Sequence, residues 1–316
     1  MRLSSQTATP GYATPPASTT VARSEELVVP FSPRSQPWQA YGWASVLLVA
    51  LIAFLYQGIA VKLVRDWYEL PDFSHGFLIP FFVAYILWHK HEVLERTPIK
   101  PSWAGLPLVL IGLFFLLVGV FGADLFFSRT SFVILACGLV WSLAGRPMLR
   151  QVGFALFVLT LAIPLPTLIF NKITFPLQLF ASNLASLALP LAGVPVLRDG
   201  NVIQLPAMQL EVAEACSGIR SLLSLFTLAV IYGYLLENKV RRRVILALSS
   251  IPIAVAANVA RIVGTGLCVQ YWNPDKAVGF FHEFSGWLMF LVSLGLLYFV
   301  HQALHLADKR QRTATA

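Results

Sequence analysis

IRSLLSLFTLAVIYGYLLENKVRRR, residues 219–243, joins an apolar run as long as one membrane span to the cations Lys239, Arg241, Arg242 and Arg243. A hydrocarbon core about 30 Å thick takes roughly 20 apolar residues of helix, and loops left in the cytoplasm are enriched in Lys and Arg. The stretch predicts a helix that ends on the cytoplasmic side. Composition agrees with a membrane setting. Of the 316 residues, 57% are hydrophobic and 12% charged, with mean hydropathy +0.71, whereas a soluble domain carries about 25% charged residues. The net charge of +8 does not indicate nucleic acid, because the basic residues lie between apolar runs rather than in one patch.

Placing 237–243 inside orders the rest of the chain. Apolar runs occur at 43–62, 76–88, 103–122, 130–145, 152–170, 219–236, 244–267 and 284–306. These predict an all-α integral membrane fold of about eight transmembrane helices with both termini cytoplasmic. Lys90, Arg96, Lys100, Arg146, Arg150, Lys309, Arg310 and Arg312 then fall on the inner side with Lys239 to Arg243. A further run, 173–193, carries Gln178, Ser182, Asn183 and Ser186. A crossing there would invert the charge pattern before it or after it. It is expected to be an interfacial or re-entrant helix on the outer face. Asp199-Gly200 between Val/Ile/Leu stretches predicts a small outer hairpin running into Cys216. Residues 1–42, rich in Ser, Thr, Pro and Ala, are expected to form a disordered cytoplasmic tail and not a signal peptide. Residues 43–306 are expected to form the membrane domain and 307–316 a second cytoplasmic tail.

This topology brings three reactive side chains to one level. Cys216 stands at the outer mouth of the 219–236 span. Arg261 lies 18 residues beyond Arg243, about 27 Å along a helix, near the outer edge of the hydrocarbon core. His282 follows an outer loop and opens the last span. A thiolate nucleophile, a cation that lowers its pKa and an imidazole that carries the proton are what cysteine acyl transfer requires, and a guanidinium can also hold an oxyanion. Each residue has a plainer role available: Cys216 in packing, His282 at the interface, Arg261 snorkelling to headgroups. An arginine flanked by Ala260 and Ile262 within a span is nevertheless expensive and usually functional. Three cysteines (Cys137, Cys216, Cys268) are too few for a disulfide framework; Cys137 and Cys268 are read as packing thiols. No cofactor and no metal site is expected.

The blocks VAEACSGIRSL (212–222), ANVARI (257–262) and FHEFSGW (281–287), with DFSHGFLIP (72–80) upstream, resemble the exosortases, membrane-embedded cysteine transpeptidases of Gram-negative bacteria. The resemblance covers about residues 45–305, and it places the family's Cys, Arg and His on Cys216, Arg261 and His282. It implies cleavage of C-terminal PEP-CTERM sorting signals on membrane-tethered precursors at the periplasmic face of the inner membrane, in association with exopolysaccharide export machinery. With no fused accessory domain before Ala316, the chain looks like a stand-alone type such as exosortase B. Arg220, at i+4 from Cys216, and Asn258, one turn before Arg261, are expected in support. Glu214 is a candidate to orient Arg220 or a substrate, and His75 is the rival general base. Two other functions fit an apolar chain with a membrane arginine: a saccharide or lipid transporter, and a scaffold for polysaccharide export. A transporter should show internal repeats and broken helices at mid-bilayer, and the sequence has no clear repeat.

Overall fold

Two prolines decide where the middle of the chain bends. In LAIPLP, residues 161–166, Pro164 and Pro166 supply no N–H donor and disfavour helix in the residue before them. In the computed structural model a helix stops at Thr160 and the next begins at Thr167. The structure describes the backbone of residues 38–212, 218–272 and 280–314, with side chains from 42 onward and, in the last segment, over 284–306. Most of the expected N-terminal tail lies outside the described residues.

The helices are α1 (Trp38–Glu69), α2 (Ile79–His89), α3 (His91–Arg96), α4 (Leu106–Phe121), α5 (Leu125–Ala144), α6 (Arg146–Thr160), α7 (Thr167–Leu191), α8 (Ile219–Leu236), α9 (Val240–Tyr271) and α10 (Phe280–Ala314), with 3₁₀ turns at Pro71–Leu78 and Trp103–Gly105. Among the described residues, seven helical stretches are long and apolar enough to cross a membrane: Gly42–Glu69, Trp103–Phe121, Leu125–Ala144, Thr167–Leu191, Ile219–Leu236, Val240–Tyr271 and Phe284–Leu306. The all-α integral membrane fold is therefore what the sequence led us to expect, but the segmentation differs. The run at 152–170 is not one helix, because the two prolines divide it between α6 and α7. The run at 76–88 is a 3₁₀ segment joined to the 11-residue α2. Helix α1 begins at Trp38, inside the expected tail, and α10 continues as helix through 307–314. Large side chains such as Phe54, Phe81, Phe114 and Phe121 are exposed, as expected of a surface solvated by lipid.

Within residues 52–316 the closest pairing is α4 against α5. Gly105, Gly112 and Gly119 recur every seven residues along one seam. A Cβ at Gly112 would sit 2.8 Å from the Leu135 backbone nitrogen, and one at Gly119 would sit 2.4 Å from Ser128. Small residues let two membrane helices approach to backbone contact, where dispersion replaces the missing hydrophobic drive. Nearby, Arg129 of α5 pairs with Asp66 of α1 at 2.7 Å.

Contacts sort the helix ends. At one end, Lys90 and Arg243 lie 5.2 and 4.7 Å from the centre of the Tyr234 ring, Lys90 donates to the Gln151 carbonyl, and Arg242 pairs with Glu237. At the opposite end, Trp67 Nε1 donates to the Ala162 carbonyl at 2.8 Å, and Phe73 packs on Phe170 with ring centres 5.5 Å apart. Both ends of α7 belong to this second end. Phe170 clusters with Trp67, Phe73 and Ile219, while Tyr271 at the end of α9 donates to the Ala192 carbonyl. Helix α9 has 32 residues, about 48 Å, which outreaches a ~30 Å core. Helix α7 packs along its far half, with Ala181, Ala185 and Leu189 against Ile262 and Val269.

On that layer sits a three-stranded antiparallel sheet, β1 (Leu197–Asp199), β2 (Val202–Gln204) and β3 (Gln209–Glu211), in order β1-β2-β3. The expected hairpin is β1–β2, with Asp199 opposite Val202. Gly200, at φ +60°, opens the two-residue loop in the conformation that a type II′ turn needs. Ile203, Leu205, Leu210 and Val212 bury their side chains against α7 and α9, and Ser182 Oγ donates to the Gly200 carbonyl at 3.0 Å.

Candidate active site

The segment that carries Cys216 is anchored on both sides. Val212 is fully buried. Its N–H donates to the Asn201 carbonyl at 2.9 Å, and its carbonyl accepts from Asn201 Nδ2 at 3.3 Å. Six residues later Gly218 caps α8 at φ +76°, a left-handed conformation that glycine adopts without penalty. A Cβ there would fall 2.7 Å from Asn258 Cγ, so the backbone that opens α8 rests directly on the Asn258 side chain. Glu214 and Cys216 lie between these anchors, outside the described residues.

Arg261 is one turn beyond Asn258 and is only 9% exposed. A guanidinium so placed needs acceptors to offset its desolvation. Its Nη2 donates to Asn258 Oδ1 at 2.9 Å. The amide is neutral, so this bond aims the guanidinium without cancelling its charge. On the other side Nη1 faces α10, where a Cβ at Gly286 would sit 3.4 Å away; a bulkier residue would push the guanidinium aside. The Arg261 carbonyl accepts from Thr265 Oγ1 at 2.9 Å. His282 is in α10 one turn before Gly286, and its side chain lies outside the described residues. Asn258 also borders a small apolar cavity walled by Leu177 and Ala181 of α7, Leu222 of α8 and Ala254 of α9.

Two further candidates belong to a neighbouring cluster. Arg220, half exposed in the first turn of α8, pairs with Asp72 of the 3₁₀ segment, Nε to Oδ1 at 3.5 Å. His75 Nε2 lies 3.3 Å from the Leu161 carbonyl, against the bend between α6 and α7. The segment 71–78 thus ties α8 to that bend, while the Asn258–Arg261 pair is held by α8 and α10. Asp72 was not singled out from the sequence. Its only signal was an acidic residue three positions before His75 in a stretch already notable, and its partner Arg220 is far away in the chain. Among the described residues, the one grouping of three His, Cys, Asp or Glu side chains with metal-binding spacing is Glu237, His301 and His305, at the opposite end of the helices.

The sequence profile of the transmembrane exosortases matches residues 67–299. No curated protein and no solved structure gives a match. The matched range takes in the Asp72–His75 segment, the sheet, Gly218, the Asn258–Arg261 pair and Gly286, which is every part of the site assembled above. The chain belongs to the transmembrane exosortase family.

Proposed function

We propose that this protein is a cysteine-dependent transpeptidase or peptidase that cleaves the C-terminal PEP-CTERM signal of membrane-tethered precursors at the periplasmic face of the inner membrane. Cys216 is the nucleophile, Arg261 the electrostatic partner and His282 the proton carrier. The observation that carries this reading is the convergence on one guanidinium. Gly218, two residues after Cys216, bears on Asn258. Asn258 holds Arg261. Gly286, one turn after His282, faces Arg261 at 3.4 Å. Three sequence blocks far apart in the chain therefore meet at Arg261. Two residues of chain reach at most about 7 Å, and positions 282 and 286 share a helix face, which supports bringing both reactive groups to the same place.

In the reaction the imidazole takes the thiol proton and the thiolate attacks the scissile carbonyl. The oxyanion of the tetrahedral intermediate is held by the guanidinium. Collapse breaks the C–N bond, the imidazolium returns its proton to the leaving amine, and a thioester remains. Water resolves it by hydrolysis, an acceptor amine by transpeptidation. The periplasmic placement is supported by the opposite end, where Lys90, Arg242 and Arg243 cluster, since cytoplasmic ends are enriched in such cations. Helix α7 then lies on the outer face.

The test is processing of a PEP-CTERM precursor by variants of equal abundance. Cys216→Ala and Cys216→Ser should abolish it, since a hydroxyl in a site tuned for thiolate stays protonated, whereas Cys137→Ala and Cys268→Ala should remain active. Full activity in Cys216→Ala removes the enzyme reading and leaves a transporter or scaffold. Reporters fused near Asp199 and Lys239 should read periplasmic and cytoplasmic respectively; a cytoplasmic Asp199 overturns the sidedness.

A further inference from the structure

At the end of the helices remote from Arg261, three ligand-type atoms crowd one point. Glu237 Oε1 lies 2.9 Å from His301 Nε2 and 2.8 Å from His305 Nε2. The two Nε2 atoms are themselves 2.9 Å apart. A neutral imidazole nitrogen either donates or accepts, and an ionised carboxylate only accepts. With both Nε2 atoms protonated, two N–H groups face each other. With one bare, its lone pair faces the carboxylate. With the carboxylate ionised, no arrangement of imidazole protons makes all three contacts attractive, whereas a single cation among them does.

The geometry points to a divalent transition-metal site formed by Glu237, His301 and His305, a site unconnected with Cys216. Two imidazoles and one carboxylate with an open fourth position are a zinc-type donor set, and imidazole also suits other late first-row ions. Metal–ligand bonds near 2.1 Å put tetrahedral ligand atoms ~3.4 Å apart, so the three atoms need open by only about 0.5–0.6 Å. The site is built into the fold. His301 and His305 are one turn apart on a single face of α10, and Glu237 ends α8. Glu237 and His301 are buried, while His305 is partly exposed and leaves the open position towards solvent. Tyr232 lies beside His301, its hydroxyl 2.5 Å from Nδ1. By accepting the Nδ1 proton it leaves the Nε2 lone pair for the metal, as a second partner to a ligating histidine does.

Arg242 also bears on this cluster. Its Nη1 donates to Glu237 Oε2 at 3.2 Å and lies 3.3 Å from His305 Nδ1. Metal at Nε2 moves the His305 proton to Nδ1, so that long contact gives way while Arg242 keeps the carboxylate. Bound metal would clasp the end of α8 to α10, the two helices that open beside Arg261. The sequence showed none of this: the histidines sit inside an apolar run, 64 and 68 residues after Glu237.

The full chain, purified in detergent without a polyhistidine tag and stripped with a chelator, is titrated with Co²⁺ and followed by visible absorption and metal-to-protein ratio. One Co²⁺ per chain with tetrahedral-type bands, displaced by Zn²⁺, is expected. Glu237→Gln and His301→Ala, judged when they elute as a single species, should weaken binding at least 100-fold, and Tyr232→Phe by about 10–100-fold. Uptake of no Co²⁺ by the stripped unmodified chain overturns the site. So does unchanged affinity in Glu237→Gln, which preserves shape and removes charge. Where His301→Ala does not fold, these last two measurements decide.

Discussion

Replacing Gly218 by alanine tests the link between the start of α8 and Arg261 with a single methyl group. Two effects add. A non-glycine residue at φ +76° sits in the left-handed region, which costs about 1–2 kcal/mol. The new Cβ also falls 2.7 Å from Asn258 Cγ. To reach ordinary contact at ~3.4 Å, either Asn258 or the start of α8 must move by about 0.7 Å. If Asn258 moves, its 2.9 Å bond to Arg261 Nη2 stretches beyond useful hydrogen-bond length. If α8 moves, the residues before it move with it. Misplacement approaching 1 Å at a reacting centre is worth about 10²-fold in rate. Gly218→Ala is therefore expected to slow precursor cleavage by about 10²-fold at near-normal membrane abundance.

The assay is a time course of cleaved to uncleaved precursor, normalised to enzyme by immunoblot. Two controls separate the causes. Gly200→Ala meets the same kind of backbone strain at φ +60° but has nothing within 4 Å, and Gly264→Ala meets neither strain nor a neighbour. Gly264→Ala should be silent and Gly200→Ala mild. Cleavage by Gly218→Ala within about twofold of the unmodified enzyme refutes the reasoning. A defect of equal size in Gly200→Ala would assign the effect to backbone strain, not to the collision with Asn258.

Arg261→Lys keeps the charge but loses the planar fork; cleavage should fall by about 10²-fold or more with the protein still present in the membrane, and near-normal turnover withdraws the oxyanion role. His282→Ala should behave in the same way while His75→Ala stays active, and the reverse result moves the general base to His75. Gly112→Leu drives a side chain into a seam where even a Cβ lies 2.8 Å from the Leu135 nitrogen; it should lower stability by about 1–3 kcal/mol, read as an earlier thermal transition in detergent, and an unchanged transition refutes the close α4–α5 contact. Arg129→Met strands Asp66, its partner at 2.7 Å, and should destabilise by about 3–5 kcal/mol. Adding Asp66→Asn should recover part of the loss, and strict additivity of the two changes would show that the pair is uncoupled.

Sequence alone determined the solvent of this protein, because hydropathy and charge are summed along the chain and need no partners. It also marked Arg261, since a guanidinium within an apolar run is anomalous wherever the helix packs, and it located the turn at Asp199-Gly200, whose backbone requirement is local. The broken helix at 161–166 was legible in principle from Pro164 and Pro166, but apolar content masked the break because hydropathy is blind to backbone donors. Tertiary structure decided what depends on contact between distant segments. Only packing shows that Gly218 rests on Asn258, that Gly286 faces the Arg261 guanidinium, and that Asp72 belongs to Arg220. The same holds for Glu237, His301 and His305: a carboxylate at the end of one helix and two imidazoles on another carry no mutual signal in sequence. Their meeting is set by which helix faces pair, and apolar side chains that read alike along the chain choose those faces by shape.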